Sequence, residues 1–188
     1  MPLMNTTIET VPFVIRDAVE ADLVACQSID HAYTTEHVWQ MEMQEDGERI
    51  TATFRTVRLP RPMRVVHPYN PQILQTVWQR RDCFLVATLD EQVQGYLNMR
   101  VDVTHANGWV TDFAVASAWR RRGIGSALLK AAHIWAGEQR LARITVETQT
   151  KNYPGICFCQ KRGLTFCGFN DKYYPNQDIA LFFGQRVR

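Results

Sequence analysis

Arg120 to Leu129 reads RRRGIGSALL and constrains the chain more than any other stretch. An apolar run, Trp109 to Val115, leads into it. Ile124, Ala127, Leu128, Ala131, Ala132 and Trp135 then recur at the spacing of one helical face. Arginines and two glycines therefore sit where a strand turns into a helix. The first N–H groups of a helix have no partner within it, and the macrodipole makes that end positive. Glycines at 123 and 125 let a bulky anion approach the backbone with no Cβ in the way. The stretch suits a phosphate or pyrophosphate, with Arg120, Arg121, Arg122, Gly123, Ile124, Gly125 and Ser126 as its candidate holders. A dinucleotide fingerprint needs a third glycine where Leu128 stands, and no Gly-Lys-Ser/Thr follows, so neither common phosphate loop is present. The plain alternative is a basic turn capping an ordinary helix.

At 188 residues, 46% hydrophobic and 21% charged, the chain reads as one globular domain, 1–188. A net charge of +2 gives no reason to expect nucleic acid, and the apolar runs are too short to span a bilayer. Five cysteines with no CxxC pair and no histidines at zinc spacing suggest reduced thiols, no metal and a cytoplasmic setting. A homodimer is left open.

Met1 to Glu9 reads as a frayed polar start, Pro12 to Arg16 as a strand, and Asp17 to Asp30 as a helix beginning near Asp22. Val38 to Met43 is expected to be helical, Ile50 to Leu59 a strand, and the prolines at 60, 62, 68 and 71 to mark a surface excursion. Gln72 to Arg80 reads as a short helix. Strands are then expected at Cys83 to Leu89, Val93 to Val103 and Trp109 to Val115, with Arg143 to Thr148 after the main helix. Tyr153 to Arg162 reads as a helix stopped by Gly163, and Thr165 to Phe169 and Ile179 to Phe183 as closing strands. The order implies an α+β (mixed α/β) fold, a mixed sheet with helices on both faces.

Arg120-x-x-Gly123-x-Gly125 after a strand and opening a helix resembles the acetyl-CoA pyrophosphate loop of the GNAT N-acetyltransferases, and the order of elements is similar to their fold. The resemblance implies that the strand before the loop splays from its neighbour. The backbone at Phe113, Ala114 and Val115 would then hold the pantetheine arm and polarise the thioester. It also implies cofactor contacts from Asn152 and Phe158, with Lys161 and Gly163 completing the pattern. Asp112-Phe113-Ala114-Val115, Glu147-Thr148-Gln149 and Leu181 to Phe183 resemble the streptothricin (nourseothricin) acetyltransferase branch most closely. That likeness covers Thr111 to Phe183, roughly two-fifths of the chain. On this footing residues 82–183 form the acetyl-CoA-binding core and 10–80 the acceptor side.

Acyl transfer to an amine needs a held thioester, a neutral amine and donors for the developing oxyanion. An alkylamine of pKa ~10.4 is mostly ammonium at neutral pH, so a proton acceptor helps. Asp112 stands where the family often puts a base; alternatively it fixes a loop or a water. Glu147 could hold a cationic acceptor or pair with Arg143. Cys159 occupies the place of the family's usual tyrosine acid and Leu164 that of a phenylalanine, so Tyr173 or Tyr174 becomes the candidate acid. A thiol leaving group of pKa ~8.5 also departs unaided. Cys157 and Cys159 read as core thiols, Trp119 and Trp135 as packing, and His133 as a surface residue. The acidic run Glu42 to Glu48 reads as a solvated turn that could attract polyamine-like substrates. The expected activity is direct acetylation of a primary amine of a small molecule, such as a streptothricin-like lysyl amine. A protein N-terminal or lysine acetyltransferase and a CoA-binding sensor without turnover are the alternatives.

Overall fold

A computed structural model of the chain describes residues 12–68, 70–80 and 82–187. The frayed start expected at Met1 to Glu9 lies outside them. In chain order the elements are β1 (Val14–Asp17), α1 (Asp22–Ser28), β2 (Tyr33–Asp46), β3 (Arg49–Val65), α2 (Ile73–Gln79), β4 (Cys83–Leu89) and β5 (Gln92–Asp102). There follow β6 (Asn107–Val115), α3 (Ile124–Glu138), β7 (Arg143–Gln149), α4 (Tyr153–Lys161), β8 (Thr165–Asn170) and β9 (Ala180–Arg186). Seven strands form one sheet in the order β1-β4-β5-β6-β7-β9-β8. Neighbours are antiparallel except β6 and β7, which α3 links as a parallel crossover. The mixed sheet expected from the order of elements is present.

Alternate residues of β4 face opposite cores, as period-two pleating requires. Leu85 and Ala87 join Leu97, Met99 and Val110 under α3, where Ile124, Leu128, Leu129, Ala132 and Ala136 are buried. The buried face of α3 is thus turned slightly from the one its apolar spacing suggests, since Ala127, Ala131 and Trp135 are half-buried. Phe84 and Val86 point the other way, into a smaller core with Tyr96, Ala114, Leu23 and Cys26 of α1 and Leu74 of α2. Complete burial of each leucine or isoleucine contributes about 1.5–3 kcal/mol. Gly163, at φ 83°, ends α4 in the left-handed conformation that a side chain would strain.

The segment after α1 departs from expectation. Val38 to Met43 is strand, part of the 14-residue β2, which pairs with the 17-residue β3 as a separate two-stranded ribbon. Trp39 and Met41 lie on the same face as Thr56 and Phe54 opposite them, and Trp39 and Phe54 pack on the aromatic side chains of β8 and β9. Six residues with apolar groups at 38, 39, 41 and 43 fit either period, and these tertiary contacts select strand. The expected proline excursion is also strand at its start, because β3 runs on to Val65. Pro60 and Pro62 fall in the gap where pairing jumps from His37↔Arg58 to Thr35↔Met63, so their lack of an N–H breaks no ladder bond. The acidic turn stands at the ribbon's tip, with Gly47 at φ 45°.

Candidate active site

The site begins where β6 and β7 part. Their ladder joins Asn107–Val110 to Arg143–Val146 and goes no further, although β6 continues to Val115 and β7 to Gln149. β5 still holds β6 on its other side through Val115, with a bulge that leaves Thr111 unopposed. The backbone edge of Phe113, Ala114 and Val115 facing β7 therefore carries no ladder bonds among the described residues. A cavity of about 510 Å³ occupies the opening, walled by Phe113, Val115, Thr148, Asn152, Phe158 and the start of α3. Phe113 and Phe158 meet edge to face at 5.5 Å. The Thr148 hydroxyl on this wall is buried with no hydrogen-bond partner among the described residues.

The loop from β6 into α3 gathers the glycines and arginines. Gly123 is the helix N-cap at φ 91°, with no side-chain cap, and the first intrahelical bond runs from Ala127 N to Gly123 O at 3.0 Å. The N–H groups of Ile124, Gly125 and Ser126 are thus left over at the positive end of the helix. A Cβ on Gly125 would lie 3.6 Å from both Phe113 and Phe158, so this glycine keeps the cavity mouth open. Arg121, itself left-handed at φ 65°, lines the cavity. Arg120 lines it as well, but its guanidinium and that of Arg122 are already engaged. Arg122 stacks over Trp119 at 4.8 Å, and Arg120 donates to the carbonyls of Val115, Ala32 and Asp30 at 2.8, 2.8 and 2.7 Å. Asn152, expected at the cofactor, uses its Oδ1 to cap α4 by accepting from Gly155 N at 2.9 Å. An anionic head followed by a narrow, amide-bearing arm fits this combination of uncapped helix and unpaired strand edge.

A second cavity of about 320 Å³ opens on the same gap, adding His31, Tyr33, Thr34, His67 and Asp112 to walls shared with the first. Two carboxylates face it. Burial raises Asp112 above the ordinary carboxylate range, against hydrogen bonds from Thr111 Oγ1 at 3.2 Å and Asn98 Nδ2 at 3.4 Å. Burial also raises Glu147, opposed by hydrogen bonds from Tyr173 and Tyr174 and reinforced by the charge of Asp112. The Tyr173 hydroxyl donates to Glu147 Oε2 at 3.0 Å. Both tyrosines stand behind Glu147, outside the residues lining the two cavities. Tyr173 is 46% exposed and has its pKa pushed up to about 12, while the 8% exposed Tyr174 is raised further by burial. Cys159 lies at the first cavity, buried, its thiol pushed up to about 12 by desolvation. It stays a neutral thiol near pH 7, and a thiol S–H is a weaker hydrogen-bond donor than the tyrosine hydroxyl it replaces.

His31, Tyr33, Thr34 and His67 are wall residues that sequence reasoning does not select. Burial lowers both histidines, His31 to about 4, so both are neutral at pH 7. His31 Nε2 lies 2.8 Å from the Tyr96 hydroxyl, and the His67 ring meets that of Tyr174 edge-on at 5.6 Å. Tyr33 donates to Gln149 Oε1 at 3.1 Å, and Gln149 Nε2 donates on to Asp178 at 2.8 Å, tying the wall to the closing turn. No sequence motif marks these positions, because the ribbon separates His31 from His67 along the chain.

The likeness to known proteins runs through both sequence and fold. Residues 48–164 match the Acetyltransferase (GNAT) family. The chain is 24% identical over 174 residues to a streptothricin acetyltransferase of Streptomyces lavendulae, covering 90% of each. Among solved structures it aligns with a nourseothricin acetyltransferase at a TM-score of 0.80 and 24% identity, over 94% of this chain and 99% of the other. It aligns with a protein of Bacillus anthracis str. Ames, described as a streptothricin acetyltransferase in complex with acetyl coenzyme A, at a TM-score of 0.73. That alignment has 20% identity over 93% and 99% of the two chains.

Proposed function

The chain belongs to the acetyltransferase (GNAT) family, and we propose that it passes the acetyl group of acetyl-CoA directly to a primary amine of a small molecule, a streptothricin-like lysyl amine. The observation that carries the reading is the parted β6–β7 pair opening onto the uncapped start of α3. The N–H groups of Ile124 to Ser126 and the Arg121 side chain suit the pyrophosphate, and the edge of Phe113 to Val115, unpaired with β7, suits the pantetheine arm. Acetyl-CoA brings an activated thioester. The likeness to a streptothricin acetyltransferase along nearly the whole chain supports the acceptor class.

The two carboxylates suit an acceptor that arrives as an ammonium. Glu147, backed by Tyr173 and Tyr174, attracts the cation, and Asp112 takes its proton directly or through water. The neutral nitrogen then bonds to the thioester carbonyl carbon and the carbon–sulfur bond breaks; the second proton that the nitrogen sheds in becoming an amide balances the one the departing thiolate takes up to become free CoA. A raised Asp112 is a better proton acceptor than an ordinary aspartate, which matches its role to its surroundings. Without a tyrosine at 159, protonation of the thiolate falls to Tyr173 or Tyr174 through Glu147, or to water. Acetyl-CoA consumption measured across a panel of amines tests the reading. Turnover with a streptothricin-type amine is expected. A peptide acceptor would make the chain a protein acetyltransferase, and tight CoA binding with no turnover on any amine would make it a sensor.

A further inference from the structure

We propose that Arg120 is a positioning residue that couples occupancy of the anion loop to the shape of the acceptor wall. This rests on the cofactor reading above. The guanidinium forks between three backbone carbonyls, Nε to Val115, Nη1 to Ala32 and Nη2 to Asp30, all within 2.8 Å. Val115 ends the unpaired edge of β6, and Arg120 itself lies just before the left-handed Arg121 and Gly123. Asp30 and Ala32 flank His31 and lead directly into Tyr33 and Thr34, three of the residues walling the smaller cavity. The Asp30 carboxylate accepts from Ala32 N at 2.8 Å and pairs with Arg64 at 3.2 Å, close before His67 on the same wall. One planar cation thus pins both cavities to a common frame.

Among the described residues, the hydrogen-bond partners of that cation are neutral carbonyls. Charge-assisted bonds of this kind are short and strong; the Asp30 carboxylate lies close enough to feel the charge, but it is not bonded to Arg120 and is shared with Arg64. An anion seated on the N–H groups of Ile124 to Ser126 adds a second negative charge and favours the state in which Arg120 is fixed. Fixing Arg120 fixes the carbonyls it holds, so loop occupancy and wall order are linked, and the linkage is reciprocal. A lysine at this position keeps the charge but lacks the planar fork, so it cannot reach three carbonyls that lie in different directions.

Hydrogen–deuterium exchange on the full chain, with and without CoA, tests the coupling in the wild type, Arg120→Lys and Arg120→Met. CoA should slow exchange at Ile124 to Ser126 in all three proteins. At His31 to Thr34 it should slow exchange about fivefold or more in the wild type, with most of that effect absent from both variants. Equal slowing at His31 to Thr34 in Arg120→Lys would overturn the proposal. So would an unresponsive wall in the wild type beside a protected loop, a result that needs no variant to fold. No protection at Ile124 to Ser126 in the wild type would overturn the cofactor reading, and this inference with it.

Discussion

Gly123 and Gly125 stand two residues apart in the anion loop, yet replacing them should move stability in opposite directions. Gly123 sits at φ 91°, and a Cβ there would have no described atom within 4 Å, so Gly123→Ala meets backbone strain and no clash. Left-handed backbone costs an L-residue about 1–2 kcal/mol. The smaller entropy of the unfolded alanine chain offsets about 0.4–1 kcal/mol of that. A net loss of about 1 kcal/mol lowers Tm by about 2–4 °C in a chain this size. Gly125 lies in the first turn of α3, and its added Cβ would make ordinary contacts at 3.6 Å with Phe113 and Phe158. Gly125→Ala should therefore leave Tm unchanged or raise it, by up to about 1 kcal/mol of helix propensity. Gly125→Val places two further carbons where a pyrophosphate would approach. Losing one charge-assisted bond costs about 1.5–3 kcal/mol, or about 10- to 150-fold in affinity. Scanning calorimetry reads the stabilities, and titration calorimetry with CoA reads the affinity. A folded Gly125→Val that binds CoA as well as the wild type would refute the pyrophosphate cradle. A Gly125→Ala as unstable as Gly123→Ala would refute the distinction between the two glycines.

Asp112→Asn should lower turnover by about 10²–10⁴ with acetyl-CoA affinity retained, the deficit shrinking as pH rises and more amine is neutral. Because burial raises Asp112, the folded chain holds that proton to higher pH than the unfolded chain does. Its contribution to stability is thus lost as pH rises from the ordinary ~3.9 through the raised folded value. Urea titrations across this range should show Asp112→Asn gaining on the wild type above it, and parallel curves would contradict the shift. Tyr173→Phe removes the 3.0 Å donor to Glu147 and should raise the acceptor KM, whereas Cys159→Ala should leave steady-state turnover near wild type. Trp39→Ala should cost about 3 kcal/mol in urea unfolding, the low end for an aromatic deletion, because the ring that meets Phe54, Phe166 and Phe183 is only half-buried. A loss below about 0.5 kcal/mol would mean the ribbon stands without that anchor.

The legible parts of the sequence are those whose signals are local. The face of α3, the glycine stop after α4 and the strands from Cys83 onwards all announce themselves within a dozen residues. So does the end of β6 at Val115, where pairing with β7 has already lapsed. The ribbon is illegible because Val38 to Met43 acquires its strand character from β3 and from aromatic rings more than a hundred residues further on. The prolines of β3 signal a break but mark an unpaired stretch inside a continuing strand. Arg120 shows a different limit. Its motif marks the residue, but two of the carbonyls that bind it lie 88 and 90 positions away. Likewise His31 and His67 become neighbours, 6.2 Å between ring centroids, through the path of the ribbon that separates them in sequence.

The short parallel ladder has a mechanical consequence. On one side of it β1, β4, β5 and β6 are laced by antiparallel pairs, and on the other so are β7, β9 and β8. Across the seam, among the described residues, the backbone joins where Asn107–Val110 meets Arg143–Val146 and where Ala106 O accepts from Ala142 N and Arg143 N, with α3 packed over it. The sheet is therefore jointed, with its parallel seam running into the mouth of the cleft. Phe113 and Arg121 belong to one plate, and Glu147, Asn152 and Phe158 to the other. A ligand lying between them grips both plates and acts as a rivet across that seam.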